Sequence, residues 1–379
     1  MNKYQLTPDQ LDTWEAIKKF AQERVAPMAR QIEDSGEFPR ELFLELGAQG
    51  YLGAAQSPEY GGSGCDAVTL CLILEELSKA SGAVGNSFNA HVSLVIELIG
   101  RHGTPAQKDK YLPELISGRK MASFCLTEPS GGSNAGAPLT RATPDGSDYL
   151  LSGSKAFITN APVADVFVVT AKTDNGVTAF ILERGLAGFE IGKPDQKMGC
   201  HGSPTSSLYF DNVRIPKANM LGPEGHGFKA FAQALDRGRV NVASLIVGLA
   251  QASYEASVVY ARDRQQFGKP IAAFQGVQFP IAEMATEIEA ARLLTLNAAR
   301  MYDAGMPIKL ESSMAKWFAA EMALRACDTA ISIHGGYGYL NDFPVERYYR
   351  DVKMYHIAEG TANIQRIVMA REILGRYPM

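Results

Sequence analysis

Three long stretches in the C-terminal third of the chain repeat apolar residues at helical spacing, and they limit the possible folds more than any other feature. They run over residues 228–264, 275–304 and 308–333, and each is far longer than the usual mean of about 11–12 residues for a helix. Short links at Gly268-Lys269-Pro270 and Gly305-Met306-Pro307 join them. Long helices with short links predict an antiparallel bundle.

A fourth helix is predicted at the C-terminus, where Thr361 can cap an apolar run that ends near Gly375. The run repeats apolar residues at helical spacing, at Ile364, Ile367, Val368, Ile373 and Leu374. Glu359 then lies just before a helix N-terminus and beside Gly360, which allows close approach of a backbone or ligand. From this segment alone, an acid that complements the helix dipole ranks ahead of a chemical role.

The rest of the chain divides into a helical part and a strand-rich part. Residues 1–120 read as capped helices that begin after Thr7, Asp66 and Thr104. From residue 121 the period changes to alternation, with strands expected near 121–127, 155–159, 165–171, 177–182 and 207–215 and a hairpin turn at 174–176. We predict an α+β, mostly α chain: an N-terminal helical domain (1–120), a middle antiparallel β-barrel or sandwich (121–226) and a C-terminal four-helix bundle (227–379).

Composition excludes several functional classes. The 379 residues are 46% hydrophobic and 21% charged with a net charge of −4, which argues against a general nucleic-acid binder. The five cysteines form no close pair and the six histidines show no ligand spacing, so we expect reduced thiols and no metal site. No apolar run reaches the length of a membrane span or forms a signal peptide, which makes cytoplasmic the default expectation and predicts no membrane association.

Two strand ends could carry a ligand. Residues 124–134 run from a strand into a glycine-rich loop, which is either an ordinary turn or a backbone that wraps a flat ring with hydroxyls from Thr127 and Ser133. Phe157-Ile158-Thr159 ends a later strand, where an aromatic is more often core than a stacking platform. The pairing of two strand ends, each with a threonine, makes a ligand at one sheet edge a reasonable hypothesis.

Three helical segments carry further candidates. Gly238 lies inside a helix beside Asp236 and Arg239, where a glycine costs ~1 kcal/mol relative to alanine, so a ligand or a close helix contact should account for it. Arg264 to Gly268 ends that helix, where a cation is favourable without any ligand. His334-Gly335-Gly336 ends the third bundle helix, as a helix cap or as room for a phosphate or ribose.

Taken together and in this order, these segments resemble the acyl-CoA dehydrogenase family, flavoenzymes that oxidise the α,β-bond of fatty acyl-CoA thioesters. The resemblance covers essentially the whole chain and rests on the 126–129 loop, the 157–159 strand, the 264–268 corner, the 334–336 turn and Glu359-Gly360-Thr361. It implies one FAD per subunit, a homotetramer, an acyl-CoA substrate and electron transfer to an electron-transferring flavoprotein.

The resemblance also implies roles for individual residues. Glu359 is implied to be the catalytic base, with hydride transfer to flavin N5 and an enolate stabilised by the N–H of the base and a flavin ribityl hydroxyl. Residues implied to bind FAD in the same subunit are Phe124, Leu126, Thr127, Ser133, Phe157, Thr159, Thr361 and Asn363. Residues implied to reach the FAD of a neighbouring subunit are Arg264, Gln266, Phe267, Gln275, Ser332, Gly335 and Gly336. Residues implied to contact CoA or its thioester are Ser133, Asp236, Arg239 and Gly360.

The chain departs from the family pattern in ways that bear on its substrate. Ser332 stands where a glutamine is frequent, Asn134 replaces a frequent aspartate, and Ala358 replaces the tyrosine that often precedes the base. Some members place the base at the position of Gly238, which leaves Glu359 as the candidate here. From Ala358 and Gly238 we predict a pocket for a short, branched or cyclic acyl group.

Two other functions stay open at this point. An acyl-CoA oxidase uses the same base and flavin but reduces oxygen, so stoichiometric hydrogen peroxide without an electron carrier would identify it. A flavin-free acyl-CoA-binding protein of the same fold is the second, and a preparation that lacks flavin absorbance even after FAD addition would support it.

Overall fold

A computed structural model describes residues 2–375. The N-terminal part is helical, and its helices begin where the sequence predicts them, because Thr7, Asp66 and Thr104 each accept a hydrogen bond from an N–H group of the first turn. Its helices are α1 (Pro8–Phe20), α2 (Ala29–Ser35), α3 (Arg40–Ala48), α4 (Ala67–Ala80), α5 (Gly82–Asn89), α6 (Glu97–His102) and α7 (Pro105–Ile116). Two π-helical segments lie among them, at Ala21–Val25 and Ala90–Ile96.

One continuous helical stretch runs from α5 to α6. Ser81 caps α5, and the chain stays helical through the π-helical segment Ala90–Ile96 into α6. Wide π-helical turns occur frequently at functional sites. Here the wide turn follows Asn89 and contains Leu94, two residues that contact the candidate site described below.

One eight-stranded sheet follows, with strand order β6-β7-β3-β2-β4-β5-β8 and β1 beside β4. The strands are β1 (Ala122–Cys125), β2 (Arg141–Asp145), β3 (Asp148–Thr159), β4 (Val166–Thr173), β5 (Gly176–Glu183), β6 (Phe189–Ile191), β7 (Thr205–Pro216) and β8 (Met220–Leu221). The predicted hairpin turn is confirmed, because β4 and β5 pair antiparallel up to Thr173 and Gly176.

The sheet is mixed, so the prediction of a wholly antiparallel domain was wrong in this respect. β1 runs parallel to β4, and β2 has one parallel pairing with β4. The long connection between β1 and β4 contains the glycine-rich loop and the β2–β3 hairpin, and it returns the chain in the same direction. Strands β2, β6 and β8 were not predicted, because β2 is largely exposed and contains Pro144, while β6 and β8 have three and two residues.

The C-terminal helices are α8 (Gly227–Asp263), α9 (Gln275–Asp303), α10 (Lys309–His334), α11 (Val345–Lys353) and α12 (Ala362–Gly375). A core of small and branched side chains joins α8, α9, α10 and α11, and α12 packs on α10, so the predicted bundle is confirmed. Helix α11 was not predicted. The link between α8 and α9 forms a two-stranded ribbon, β9 (Gln265–Gln266) with β10 (Lys269–Pro270).

Helix α8 takes part in three of the four apolar cores formed by the described residues. Its first turns place Ala230, Phe231 and Ala234 in the core of the N-terminal helices, which also covers one face of the sheet through Val166 and Val168. Residues 242–252 of α8 lie in the bundle core, and Val240 joins a smaller core between α4 and α9. The other face of the sheet has its own core, with Phe167 and Val169. Alternate residues of β4 thus serve different cores, as the period of a strand requires.

Helix α8 is also the one described helix with the length and composition of a membrane span, since an 18-residue window has mean hydropathy 1.4. Of that window, 67% is buried inside the protein. The apolar residues that produce this hydropathy are those that form the cores just described.

Candidate functional site

Glu359 lies in a turn between α11 and α12, where its side chain contacts Gly238 of α8 and Asn89 of α5. The backbone of Glu359 has φ 53° and that of Gly360 has φ 90°, both in the left-handed region. Thr361 caps α12, as predicted, because its Oγ1 accepts a hydrogen bond of 3.2 Å from the N–H of Ile364. Within residues 2–375 the N–H of Glu359 donates to no other group, so a donor is left beside the carboxylate.

The two oxygens of the Glu359 carboxylate have different surroundings. Asn89 Nδ2 donates to Oε1 at 2.8 Å. Oε2 is shielded from solvent and has no hydrogen-bond partner among the described residues. Burial raises the pKa of Glu359 to about 7, while Lys316, the Asn89 hydrogen bond and Arg239 act in the opposite direction. One oxygen is thus anchored, and the other is free to take a proton near neutral pH.

Gly238 faces this carboxylate from α8. A Cβ at position 238 would lie 3.0 Å from Glu359 Oε2 and 3.2 Å from Leu94 Cδ2. Of the two explanations that the sequence left open, close packing therefore accounts for the glycine, with the base itself as the neighbour. Glu359 and Leu94 fill the space beside Gly238, so Gly238 does not widen an acyl pocket.

Asp236 and Arg239 lie one turn apart on α8 and pair with each other at 2.7 Å between Oδ1 and Nη1. Burial raises the pKa of Asp236, and the Nε of Arg239 has no hydrogen-bond partner among the described residues. The pair lies close enough to Glu359 for the Arg239 charge to act on it. Contact of either residue with CoA stays a prediction.

The glycine-rich loop is fixed by an ion pair that the sequence analysis missed. Glu128 accepts hydrogen bonds from the N–H groups of Leu139 and Thr140, and its Oε1 lies 2.9 Å from Lys155 Nζ. Lys155 is fully buried and also donates to the carbonyl of Leu126. A lysine in phase with the inward-facing residues of β3 was the sequence signal that could have indicated it.

The two predicted strand ends offer surfaces for a flat ring. The ring of Phe124 packs against Phe231 with 4.3 Å between centroids, whereas Ser133 is exposed in the loop. Phe157 lies at a register shift between β3 and β7, has φ 58°, and is 71% exposed. A left-handed backbone conformation is rare for phenylalanine. The exposed ring also shows that Phe157 is not a core residue. Thr159 is half-buried two residues further on.

Four of the residues implied to reach the FAD of a neighbouring subunit lie together at the C-terminal end of α10. Arg264, Gln266, Gly335 and Gly336 line a cavity of about 570 Å³, and the Arg264 guanidinium lies 5.5 Å from the centre of the Tyr337 ring. The three remaining members, Phe267, Gln275 and Ser332, are exposed and do not line this cavity.

This second cavity is distant from Glu359. Along α10, His334 lies about 18 residues beyond Lys316, a separation of ~27 Å at ~1.5 Å per residue. The candidate site residues of the described chain therefore form two separate clusters, one around Glu359 and one at the C-terminal end of α10.

Two predicted residues beside the base have local roles in the structure. Thr361 uses its hydroxyl as the helix cap, and Asn363 Oδ1 accepts a hydrogen bond from Arg366 at 3.0 Å. Leu126 and Thr127 are half-buried where the loop begins, and Thr127 packs against the backbone of Gly132. A direct contact of any of these residues with FAD stays a prediction.

The chemistry of these residues fits FAD. The exposed Phe157 and the Thr127–Gly132 loop suit a flat ring and its hydrogen-bonding edge. At Gly335 and Gly336 an added Cβ would meet no atom within 4 Å, so the backbone there is open to a ligand, with the positive Arg264 in the same cavity. Backbone N–H groups with an arginine suit a diphosphate. Among residues 2–375, no cluster of three or more His, Cys, Asp or Glu side chains is placed to hold a metal ion.

The described residues combine a helical N-terminal part, a central sheet, a helical bundle and a carboxylate, Glu359, that contacts both helical parts. This combination is typical of flavin-dependent oxidoreductases that bind acyl thioesters, and it identifies that class only together with a family match. Three family models cover nearly the whole chain: the acyl-CoA dehydrogenase N-terminal domain at residues 7–119, the middle domain at 123–213 and the C-terminal domain at 225–374. The chain belongs to the acyl-CoA dehydrogenase family, whose members bind FAD and act on acyl-CoA.

Similar proteins extend over the full length. The chain is 44% identical to the probable acyl-CoA dehydrogenase YngJ of Bacillus subtilis, over 98% of this chain and 99% of that protein. It is 39% identical to the mitochondrial short/branched chain specific acyl-CoA dehydrogenase of Rattus norvegicus, over 98% of this chain and 87% of that protein.

Solved structures agree closely with the fold. Butyryl-CoA dehydrogenase from Megasphaera elsdenii has a TM-score of 0.95 and 41% identity, covering 97% of this chain and 99% of that chain. A structure described for an electron transferring flavoprotein of Acidaminococcus fermentans has a TM-score of 0.96 and 42% identity, covering 98% and 99%. PigA with FAD and proline has a TM-score of 0.95 and 31% identity, covering 98% and 99%.

Two further residues of the site were missed by the sequence analysis. Asn89, which anchors the base, lies 270 positions away in the chain, and nothing in its local pattern marks it. Lys316 lies on the apolar stripe of α10, in line with Ala319, Ala320 and Ala323. A lysine at such a position is a signal for a buried cation.

Proposed function

We propose that this chain catalyses the α,β-dehydrogenation of a short, branched or cyclic acyl-CoA thioester, with Glu359 as the base and FAD as the oxidant. The observation that carries the proposal is the unpaired, buried Oε2 of Glu359, next to an Oε1 that Asn89 holds in place. A proton acceptor that is desolvated and fixed in orientation is what removal of a weakly acidic α-proton requires.

Different groups of the protein have different roles in the reaction. The Oε2 of Glu359 takes the α-proton and becomes the carboxylic acid, while Asn89 keeps the carboxyl group in one orientation. The N–H of Glu359 is available to donate to the thioester oxygen as negative charge develops there. Bound FAD would supply the two-electron oxidant for the hydride that leaves the β-carbon.

The pH dependence of the reaction follows from the base. Because burial raises the pKa of Glu359 to about 7, most molecules carry a protonated, inactive base below that pH. We expect the rate of flavin reduction to rise about tenfold per pH unit below pH 7 and to level off above it.

Support for the acyl group comes from Ala358 and from relatives described as short/branched chain specific and butyryl-CoA dehydrogenases. Alanine at this position offers less bulk beside the base than the tyrosine that is frequent in the family.

A homotetramer would let Arg264, Gln266 and the Gly335-Gly336 turn reach the FAD of a neighbouring subunit, because they lie too far from Glu359 to share one flavin ring with it. A cytoplasmic location and an electron-transferring flavoprotein as acceptor are part of this proposal.

The test is a screen of straight, branched and cyclic acyl-CoA thioesters by bleaching of the flavin. We expect anaerobic bleaching by short, branched or cyclic thioesters and turnover with an electron-transferring flavoprotein. Glu359→Gln should retain FAD and acyl-CoA and lose bleaching. Near-native reduction in that variant would refute the role of Glu359, turnover of long straight chains alone would refute the acyl preference, and stoichiometric peroxide in air without a carrier would identify an oxidase.

A further inference from the structure

Lys316 is fully buried two turns into α10, and its ammonium group is hydrogen-bonded to the turn that carries the base. Its Nζ donates to the carbonyl oxygen of Tyr355 at 2.7 Å and to that of Gly360 at 2.8 Å. The two carbonyls lie on either side of Glu359 in sequence. A buried ammonium is costly unless it is hydrogen-bonded, so these two bonds account for its position and fix both ends of the turn.

Gln365 also donates hydrogen bonds to this turn. It is fully buried one turn into α12, and its Nε2 donates to the carbonyls of Glu359 at 3.2 Å and Gly360 at 3.1 Å. The left-handed region is unfavourable for a residue other than glycine, so the φ of 53° at Glu359 needs restraints of this kind. A Cβ at Gly360 would lie 2.7 Å from Gln365 Nε2, which shows how closely the amide packs on the turn.

We propose that Lys316 and Gln365 are positioning residues: both hold the turn that presents Glu359, and Lys316 in addition supplies the nearby positive charge that favours the ionised base. This inference rests on the proposed function of Glu359. Lys316 and Gln365 are placed against carbonyl groups of the turn and act on substrate only through the carboxylate that this turn presents.

The electrostatic part of the proposal depends on all groups that face the base. Charged or titratable groups come from three elements: Lys316 from α10, Arg239 from α8 and Tyr355 from the segment before the base. The helix that contains Asn89 contributes a neutral amide. Lys316 is the cation with the larger effect on the pKa of Glu359, and Arg239 shares its charge with Asp236. Removing Lys316 should therefore make the base harder to ionise, and removing Gln365 should not.

Two variants distinguish the positioning of Glu359 from the effect of the Lys316 charge on its ionisation. Lys316→Met removes both hydrogen bonds and the charge, whereas Gln365→Leu removes hydrogen bonds alone. Arg325→Met is the matched control, because it removes a cation from the same helix at an exposed position where it pairs with Glu287. For each protein we would measure the FAD content, kcat, KM for the acyl-CoA, the pH profile of flavin reduction and the infrared carbonyl band of protonated Glu359, assigned by its loss in Glu359→Gln.

We expect both site variants to keep FAD and a near-native KM and to lose at least ~10-fold in kcat, because small misplacement of a base is costly. In Lys316→Met the pH profile and the infrared titration of Glu359 should both move to higher pH. In Gln365→Leu and Arg325→Met the titration should stay where it is in the unmodified protein.

An unchanged kcat in Lys316→Met or Gln365→Leu would refute the positioning role of that residue. An unchanged pH midpoint for the Glu359 titration in Lys316→Met would refute the electrostatic role of Lys316. If Lys316→Met does not fold, Lys316→Arg takes its place: it keeps the charge and changes the geometry, so kcat should fall with an unmoved titration, and a native kcat would contradict the positioning role. Failure of the unmodified protein to reduce flavin with any acyl-CoA would refute the proposed function instead, and the infrared titration would still test the charge.

Discussion

Replacing Gly238 by alanine tests how tightly the base is packed. The added methyl would lie 3.0 Å from Glu359 Oε2 and 3.2 Å from Leu94 Cδ2, whereas ordinary contacts between such atoms are about 3.5 Å or more. Both neighbours must therefore move by a few tenths of an ångström. Leu94 is held in the buried core, so we expect the carboxylate to be displaced more than Leu94 and its hydrogen bond to Asn89 to lengthen.

The size of the effect follows from this displacement. A misplacement of 1 Å at a reacting group costs on the order of 100-fold in rate, so about half of that distance should cost ~10-fold in kcat. Alanine also removes the penalty of ~1 kcal/mol for glycine inside a helix, which offsets strain at the contact. The free energy of unfolding should consequently change by less than about 1 kcal/mol.

The assay is stopped-flow reduction of the flavin by a short acyl-CoA, with thermal unfolding measured alongside. Gly276→Ala in α9 is the control, because a methyl there meets no atom within 4 Å, and it should leave the rate unchanged. Reduction of the Gly238→Ala flavin at the rate of the unmodified protein would refute the idea that this contact positions the base.

Other predictions concern the hydrogen bond to the base, the fixed loop and the second cavity. Asn89→Leu removes a hydrogen bond that favours the ionised carboxylate, so the pKa of Glu359 should rise above about 7 and the acid limb of the pH–rate profile should move upward. Glu128→Gln leaves the buried Lys155 without its counter-ion and should cost about 3–5 kcal/mol in the free energy of unfolding, measured by denaturant titration. Arg264→Met should lower the FAD content after gel filtration without moving the titration of Glu359, and full FAD retention would contradict a role of this cavity in FAD binding.

Local rules predicted much of the fold, because the features that they describe are local. The caps at Thr7, Asp66, Thr104 and Thr361 each join a side chain to an N–H group three residues away, and all four are present. The parallel pairing of β1 with β4 was not predictable in this way. It joins Ala122 to Val166 across the whole β2–β3 hairpin, and an alternating pattern carries no information about strand direction.

The candidate site shows the same division. Glu359 was recognised from a short motif, and the Arg264 and Gly335-Gly336 segments, which are far apart in sequence, do meet in one cavity. The residues that orient Glu359 and shift its pKa were not predicted. Asn89 and Lys316 lie on other helices, and their contacts with the turn of the base join residues far apart in the sequence. For Gly238 the sequence indicated an anomaly and left its cause open. Only the distance to Oε2 identifies the base as the neighbour.

The shared use of α8 has a consequence for synthesis of the chain on the ribosome. The N-terminal helices end at Ile116, yet their core includes Phe231 and Ala234, which are translated more than a hundred residues later. At roughly 5–20 residues per second, this delay amounts to roughly 6–24 s during which the nascent helices keep an uncovered apolar surface. Chaperone occupancy of nascent chains should therefore persist until α8 has left the exit tunnel.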